Sequence, residues 1–121
     1  QAGSRRPLGV GAGSAAILAA LPQHRREHLI QSYADTYSHY GDLTVTEVRR
    51  MVRHYRDHGY LVNNSVIIPD VSAIGVAVFD PSGNLLAGLS LSTLRAQLEP
   101  RREREIVDVL TAALARAGYK T

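Results

Sequence analysis

Ser72-Ala73-Ile74-Gly75-Val76-Ala77-Val78-Phe79-Asp80-Pro81-Ser82-Gly83-Asn84-Leu85-Leu86-Ala87-Gly88-Leu89-Ser90-Leu91-Ser92 is the stretch on which the reading of this chain turns. Two short apolar runs flank the turn signal Pro81-Ser82-Gly83-Asn84, the pattern of a β-hairpin. A register slip of one residue would exchange the two faces, so side-chain size can set the register. With all four turn residues in the loop, Asp80 opposes Leu85. Ile74, Val76 and Val78 then share one face with Ala87, Leu89 and Leu91, while Ala73, Gly75 and Ala77 share the other with Gly88, Ser90 and Ser92. A three-residue loop would scatter large and small side chains over both faces, so the longer loop is preferred. The large face is expected to pack and the small one to stay shallow. A shallow face with two hydroxyls suits a small polar ligand, and it equally suits a helix packed close on the sheet.

Residues 60–69 are expected to run extended into the hairpin, with Asn63-Asn64 as a polar kink. After the hairpin, Glu99-Pro100 is a helix start, and Ile106, Leu110, Ala113, Leu114 and Ala117 form an apolar stripe that stops at Gly118. That helix is long enough to cover a sheet or pair with a copy of itself. Upstream, Thr44-Val45-Thr46-Glu47 matches a capping box, and Val48, Met51, Val52 and Tyr55 follow at helical spacing until Gly59. The opposite side of this helix shows Arg49, Arg50, Arg53 and Arg56, a face that could touch phosphates or simply be solvated. His54 and His58 are four apart, but the residues between them do not match His-Glu-x-x-His and the arginines repel a cation, so no metal site is expected.

Residues 23–33 carry the amphipathic pattern of a short helix, and residues 35–43 have turn composition. Pro7-Leu8-Gly9-Val10-Gly11-Ala12-Gly13 leads into Ser14-Ala15-Ala16-Ile17-Leu18-Ala19-Ala20-Leu21, which is helical in composition and stops at Pro22. A helix start made of Gly and Ala leaves its backbone N–H groups uncovered, able to receive a carboxylate or phosphate. The same composition describes a small-residue helix lying close to a sheet.

At 121 residues the chain is expected to form one domain, with residues 1–6 a disordered or linker remnant and 119–121 a tail. A 45% hydrophobic and 21% charged composition is that of a folded globular protein. The charge of +3 weakly favours anionic partners and falls short of a dedicated nucleic-acid binder. Absence of cysteine excludes disulfides, thiol catalysis and cysteine-based zinc sites. No apolar run is long enough to span a bilayer and no signal peptide is visible, so no membrane partner and a cytoplasmic location are expected. A start at Gln1 suggests a cut from something longer. No P-loop, nucleophile elbow or paired-carboxylate site is found, and no cofactor is expected.

Order and spacing say more than any one motif. Pro7-Leu8 before a small-residue helix ending Leu18-Ala19-Ala20-Leu21-Pro22, Thr44-x-Thr46 opening an Arg-rich helix, His58-Gly59-Tyr60, Val71-Ser72-Ala73-Ile74 to Phe79-Asp80-x-x-Gly83, and Leu89-Ser90-Leu91-Ser92 together resemble the effector-binding domain of IclR-type transcription regulators. The match runs from Pro7 to Gly118. It implies an α+β fold, a GAF-like antiparallel sheet flanked by helices, that binds a small-molecule effector over residues 7–118. It also implies a homo-oligomer, dimer or tetramer, that meets DNA only through an N-terminal helix-turn-helix lying outside this chain. Several family strands that precede Pro7 are absent here, as is the DNA-binding domain, so either the chain is incomplete or the remaining sheet must protect its edge through a partner.

Carried over by the resemblance, anion-holding backbone amides fall on Ala12 and Gly13, and the pair of pocket hydroxyls on Ser90 and Ser92. The polar position before the hairpin, often Asp, falls on Asn63, the position often held by Cys on Ala73, and the apolar walls on Leu8 and Val71. The chain departs from the pattern at Ser14 (commonly Gly), Ala15 (often Lys), Val66 (usually acidic) and Asp70 (usually Gly). Loss of a charge at Asn63 and of a thiol at Ala73 points away from a very small oxo-acid, either toward a larger or less polar carboxylate, aromatic ones included, or toward a degenerate pocket. The competing readings are a small serine hydrolase or isomerase using Ser90 or Ser92 with one of five histidines, and direct nucleic-acid binding through the arginine face.

Overall fold

In the computed structural model, which describes residues 3–64, 68–94 and 98–121, seven elements follow one another. They are α1 (Ala12–Ala20), α2 (Gln23–Tyr37), α3 (Val45–His58), β1 (Leu61–Asn64), β2 (Val71–Phe79), β3 (Leu85–Leu94) and α4 (Pro100–Arg116). The strands form one antiparallel sheet in the order β1-β2-β3. This is the α+β architecture expected from the sequence, with helices on both faces.

The hairpin pairs as side-chain size requires, from Ala73 opposite Ser92 to Val78 opposite Ala87. One pair is corrected. Phe79, not Asp80, opposes Leu85, and a bulge between Val78 and Phe79 leaves Leu86 as the extra residue of β3. The reason is that Asp80 belongs to the turn. Its carboxylate accepts the backbone N–H of Asn84 at 2.8 Å and the side-chain amide of Asn84 at 2.9 Å. Its own N–H donates to the Asn84 carbonyl at 2.9 Å, and Gly83, at φ +89°, closes the loop onto the Asp80 carbonyl. The bonds from Asn84 hold the Asp80 carboxyl below the usual carboxylate range.

The small-residue face of the hairpin receives α1. A Cβ on Gly75 would overlap the Ala12 carbonyl, and one on Gly88 would overlap the Gly13 carbonyl, so the helix main chain rests directly on the two strands. Behind α1, buried Leu18, Ile30, Tyr37, Leu43, Met51 and Leu61 make the main core with α2 and α3. On the opposite face α4 lays Ile106, Val107, Leu110 and Leu114 over Tyr60, Val62, Ile74 and Val76. That cover thins along β3, where Leu89 and Leu91 keep 37% and 39% of their surface exposed.

Several local readings change. α2 runs on to Tyr37, a full turn past its amphipathic stretch, because the Tyr37 ring is fully buried and its hydroxyl donates to the Leu8 carbonyl at 2.6 Å. Asn63 and Asn64 are strand residues opposite Ala73 and Ser72, not a kink. α1 begins at Ala12, two residues before Ser14, with Gly11 at φ +89° ahead of it. Thr44 caps α3 through the N–H of Glu47 at 3.1 Å, but the Glu47 carboxylate turns to Arg50 Nε at 2.9 Å rather than back to complete a capping box. Near the C-terminus, Lys120 exchanges backbone hydrogen bonds of 2.8 and 2.9 Å with Phe79. Val66 lies outside the described residues.

Gly75→Ala and Gly88→Ala should each cost about 1–3 kcal/mol or more in urea denaturation, because only a main-chain shift makes room for the methyl group; changes within experimental error would place α1 farther from the sheet. A second expectation concerns alkali. Burial pushes the Tyr37 hydroxyl up to about 12, and burial together with Glu103, whose carboxylate accepts the Tyr60 hydroxyl at 2.7 Å, does the same for Tyr60. Both phenols stay neutral in the folded chain while the unfolded chain ionises near pH 10, so their contribution is full below pH 10 and is lost as pH rises toward 12. Melting temperature measured from pH 9 to 12 should fall along that arm, and less steeply in Tyr60→Phe.

Candidate ligand hollow at the start of the first helix

Along the hairpin the small-residue face divides in two. Near the turn, Gly75 and Gly88 admit α1 into contact. Past the first residue of α1 the strands continue without it, and Ala73, Ser90 and Ser92, with Asn63 of β1, become the floor of a hollow of about 130 Å³. Gly11 and Ala12 form its helix side, Val71 and Ile68 its apolar side, and Arg6 its basic rim. The first bond within α1 runs from the Ala15 N–H to the Gly11 carbonyl at 2.9 Å, so the N–H groups of Ala12, Gly13 and Ser14 stand ahead of the helical ladder.

The structure therefore brings Ala12, Asn63, Val71, Ala73, Ser90 and Ser92 to one place. It puts Gly13 and Leu8 elsewhere. The Gly13 backbone is pressed onto β3, where a Cβ would stand 3.3 Å from the Gly88 carbonyl. Leu8 packs against the main core and gives its carbonyl to Tyr37. Arg6, Gly11 and Ile68 are lining residues that composition did not single out.

Arg6 is held there by events far away in sequence. Tyr37 fixes the Leu8 carbonyl, and the Ser14 hydroxyl accepts the Gly9 N–H at 3.1 Å while donating to the Pro7 carbonyl at 3.5 Å. The strap over residues 7–9 is thus tied at both sides, and the Arg6 guanidinium lies 5.9 Å from the Tyr40 ring centre. Ser14, at a position where the family resemblance implies glycine, is what closes this strap. Asp70, immediately before Val71, takes φ +61°, a left-handed conformation suited to the glycine that the same resemblance implies.

Among the described residues, none of the five histidines and no carboxylate lines the hollow. His54 sits on α3 with Nδ1 2.9 Å from the Tyr60 carbonyl, its ring centre 4.4 Å from that of His58. Of the arginine face, Arg49 is paired with Glu27 of α2 at 2.6 Å, and Arg50 is bound to Glu47 and to the Val62 carbonyl at 3.0 Å. Arg26, nearly buried, donates to the Leu21 carbonyl at 2.8 Å and to that of Ala19 at 3.4 Å, fastening the C-terminal end of α1.

The family model described as the bacterial transcriptional regulator IclR C-terminal matches residues 1–117. No curated protein matches the chain. Among solved structures, the C-terminal domain of the Escherichia coli regulator KdgR aligns at 26% identity and TM-score 0.78, over 96% of this chain and 71% of that domain. The IclR protein of Thermotoga maritima aligns at 25% identity and TM-score 0.72, over 85% of this chain and 42% of that one. The IclR regulator of Alicyclobacillus acidocaldarius shares the fold at 21% identity and TM-score 0.75, over 96% of this chain and 46% of that protein. The chain thus spans less than half the length of these last two.

Two substitutions test the frame of the hollow. Ser14→Gly removes the clasp on the strap and should lower stability by about 1 kcal/mol, with faster amide exchange at Gly9. Asp70→Val forces a β-branched residue into the left-handed region and should cost about 1–2 kcal/mol, whereas Asp70→Gly should be tolerated; equal effects would argue against the backbone conformation described.

Proposed function

The chain belongs to the family of bacterial IclR transcriptional regulators, as their C-terminal domain, and we propose that it senses a small carboxylate in the hollow at the start of α1. The observation that carries this reading is convergence: two strand hydroxyls, a buried amide, a helix start and a guanidinium border one cavity. An anionic group placed there meets donors from Ser90 and Ser92, and Arg6 supplies a full positive charge at the rim. Ser90 and Ser92 are exposed, so each charge-assisted hydrogen bond reaches about 1.5–3 kcal/mol only when the bound ligand itself shuts out water against Val71 and Ile68. A volume of about 130 Å³ lies well below the roughly 300–1,000 Å³ of drug-sized sites, which favours a compact acid held by its carboxylate end over the larger carboxylate expected from Asn63 and Ala73.

In this reading the ligand bridges the start of α1 and the strands, and its binding is passed to a DNA-binding domain outside this chain. DNA contact by the arginine face is disfavoured, since Arg49 and Arg50 are already engaged by Glu27 and Glu47. The regulator acts as a homo-oligomer in the cytoplasm; no helix among the described residues is long and apolar enough to cross a membrane. Binding without turnover fits a lining that offers Ser90 and Ser92 no histidine or carboxylate as a base.

A thermal-shift screen of small carboxylates should find acids that raise the melting temperature. The shift should vanish in Ser90→Ala with Ser92→Ala, and Arg6→Ala should weaken binding about tenfold, the effect of one charged contact. A stabilising acid indifferent to all three changes would remove the site. Ester or lactone turnover abolished by Ser90→Ala would instead establish the hydrolase.

A further inference from the structure

We propose that the groove between α2 and α3 is a second anion site, in which Arg26, Arg53 and Arg56 receive a dianionic phosphate, free or carried on a metabolite. The groove has a volume of about 290 Å³, with buried Ile30 and Val52 as its apolar part and guanidinium groups from both helices around it. Every group that lines it belongs to α2 or α3.

Its centre is Arg26. The residue is 6% exposed, a depth at which a cation ordinarily has a carboxylate partner, and this one has none among the described residues. Its bonds leave from Nη1 alone, to the Leu21 carbonyl at 2.8 Å and the Ala19 carbonyl at 3.4 Å. Nε and Nη2, the edge of a guanidinium that grips an oxyanion with two parallel bonds, stay unused among the described residues. Buried donors left without an acceptor are costly, and an oxyanion in the groove satisfies them.

Charge points to the same occupant. Glu27 gives both carboxylate oxygens to Arg49, at 2.6 and 2.7 Å, so that pair cancels. Arg26, Arg53 and Arg56 then stand against Asp57 alone, an excess of two positive charges in one groove. Burial first, and the charge of Arg56 next, lower the Arg26 guanidinium from its ordinary value, with Glu27 pulling the other way. A phosphate ester carries about −1.5 to −2 at neutral pH and offers three acceptor oxygens, which answers both the excess and the open guanidinium edge. A carboxylate or a phosphodiester, with a single charge, leaves half of the excess standing. Arg26 is fastened to the C-terminal end of α1, whereas the hollow lies at its start, so the two sites take different ligands at opposite ends of one helix.

The melting temperature of the 121-residue chain, titrated near neutral pH with inorganic phosphate and with phenyl phosphate, should rise along a saturable curve with a dissociation constant of about 1 mM or below. Arg53→Gln and Arg56→Gln, both at exposed positions, should each weaken that binding at least about fivefold. In the absence of phosphate, Arg56→Gln should melt no lower than the parent chain, because it removes a charge that opposes Arg26. An arginine with a purely structural role would lower stability with or without phosphate. Tighter binding of phenyl phosphate identifies an ester as the occupant, and equal or weaker binding identifies free phosphate. No rise, a rise reproduced by sodium chloride at equal ionic strength, a response unchanged in both arginine variants, or one abolished by Ser90→Ala with Ser92→Ala would each overturn the proposal.

Discussion

The structure depends on a contact made without side chains. At Gly75 and Gly88 the carbonyls of Ala12 and Gly13 come to where a Cβ would stand, so α1 lies on β2 and β3 at main-chain distance. Everything behind it follows from that approach. Leu18, Ala15, Ala16 and Ala19 of α1 can be fully buried because the helix is low, and α3 then reaches both α1 and β1 to close the main core. The hollow exists because the approach is local: it ends with Ala12, while the strands run on through Ala73, Ser90 and Ser92.

The opposite face obeys a different rule. There α4 meets the sheet through large side chains, with the Tyr60 hydroxyl donating to Glu103 as a polar anchor on that seam. No residue of α4 is fully buried. One face of the sheet is therefore held by close backbone fit and the other by a movable apolar layer, a division already present in the alternation of small and large residues along the hairpin.

That alternation made the hairpin legible, since only one register sorts Ala, Gly and Ser from Ile, Val and Leu. The capped helix at Thr44 was equally legible, as were the glycine stop at Gly59 and the proline start at Pro100. Asp80 misled because its value to the turn, two side-chain bonds to Asn84, outweighs its place in a regular ladder. The end of α2 was hidden because Tyr37 is helical for the sake of a carbonyl 29 residues earlier. Arg6 was hidden for the same kind of reason. A polar stretch rich in Gly, Ser and Arg reads as solvent-facing, and only Tyr37, Ser14 and Tyr40, acting from a distance, give it an address. Six of the positions singled out in the sequence come to one hollow because they sit on regular strands and a helix start. Gly13 could not be separated from Ala12, since adjacent residues of a helix end face different neighbours.

Along β2 and β3 the weld and the pocket floor take different residues of the same alternating series: 75 and 88 serve the helix, 73, 90 and 92 the cavity. Chemistry at the floor can therefore be exchanged, hydroxyl for amide or methyl for thiol, while the weld goes unaltered. The lining of the hollow is free to drift at positions whose substitution leaves the seating of α1 intact.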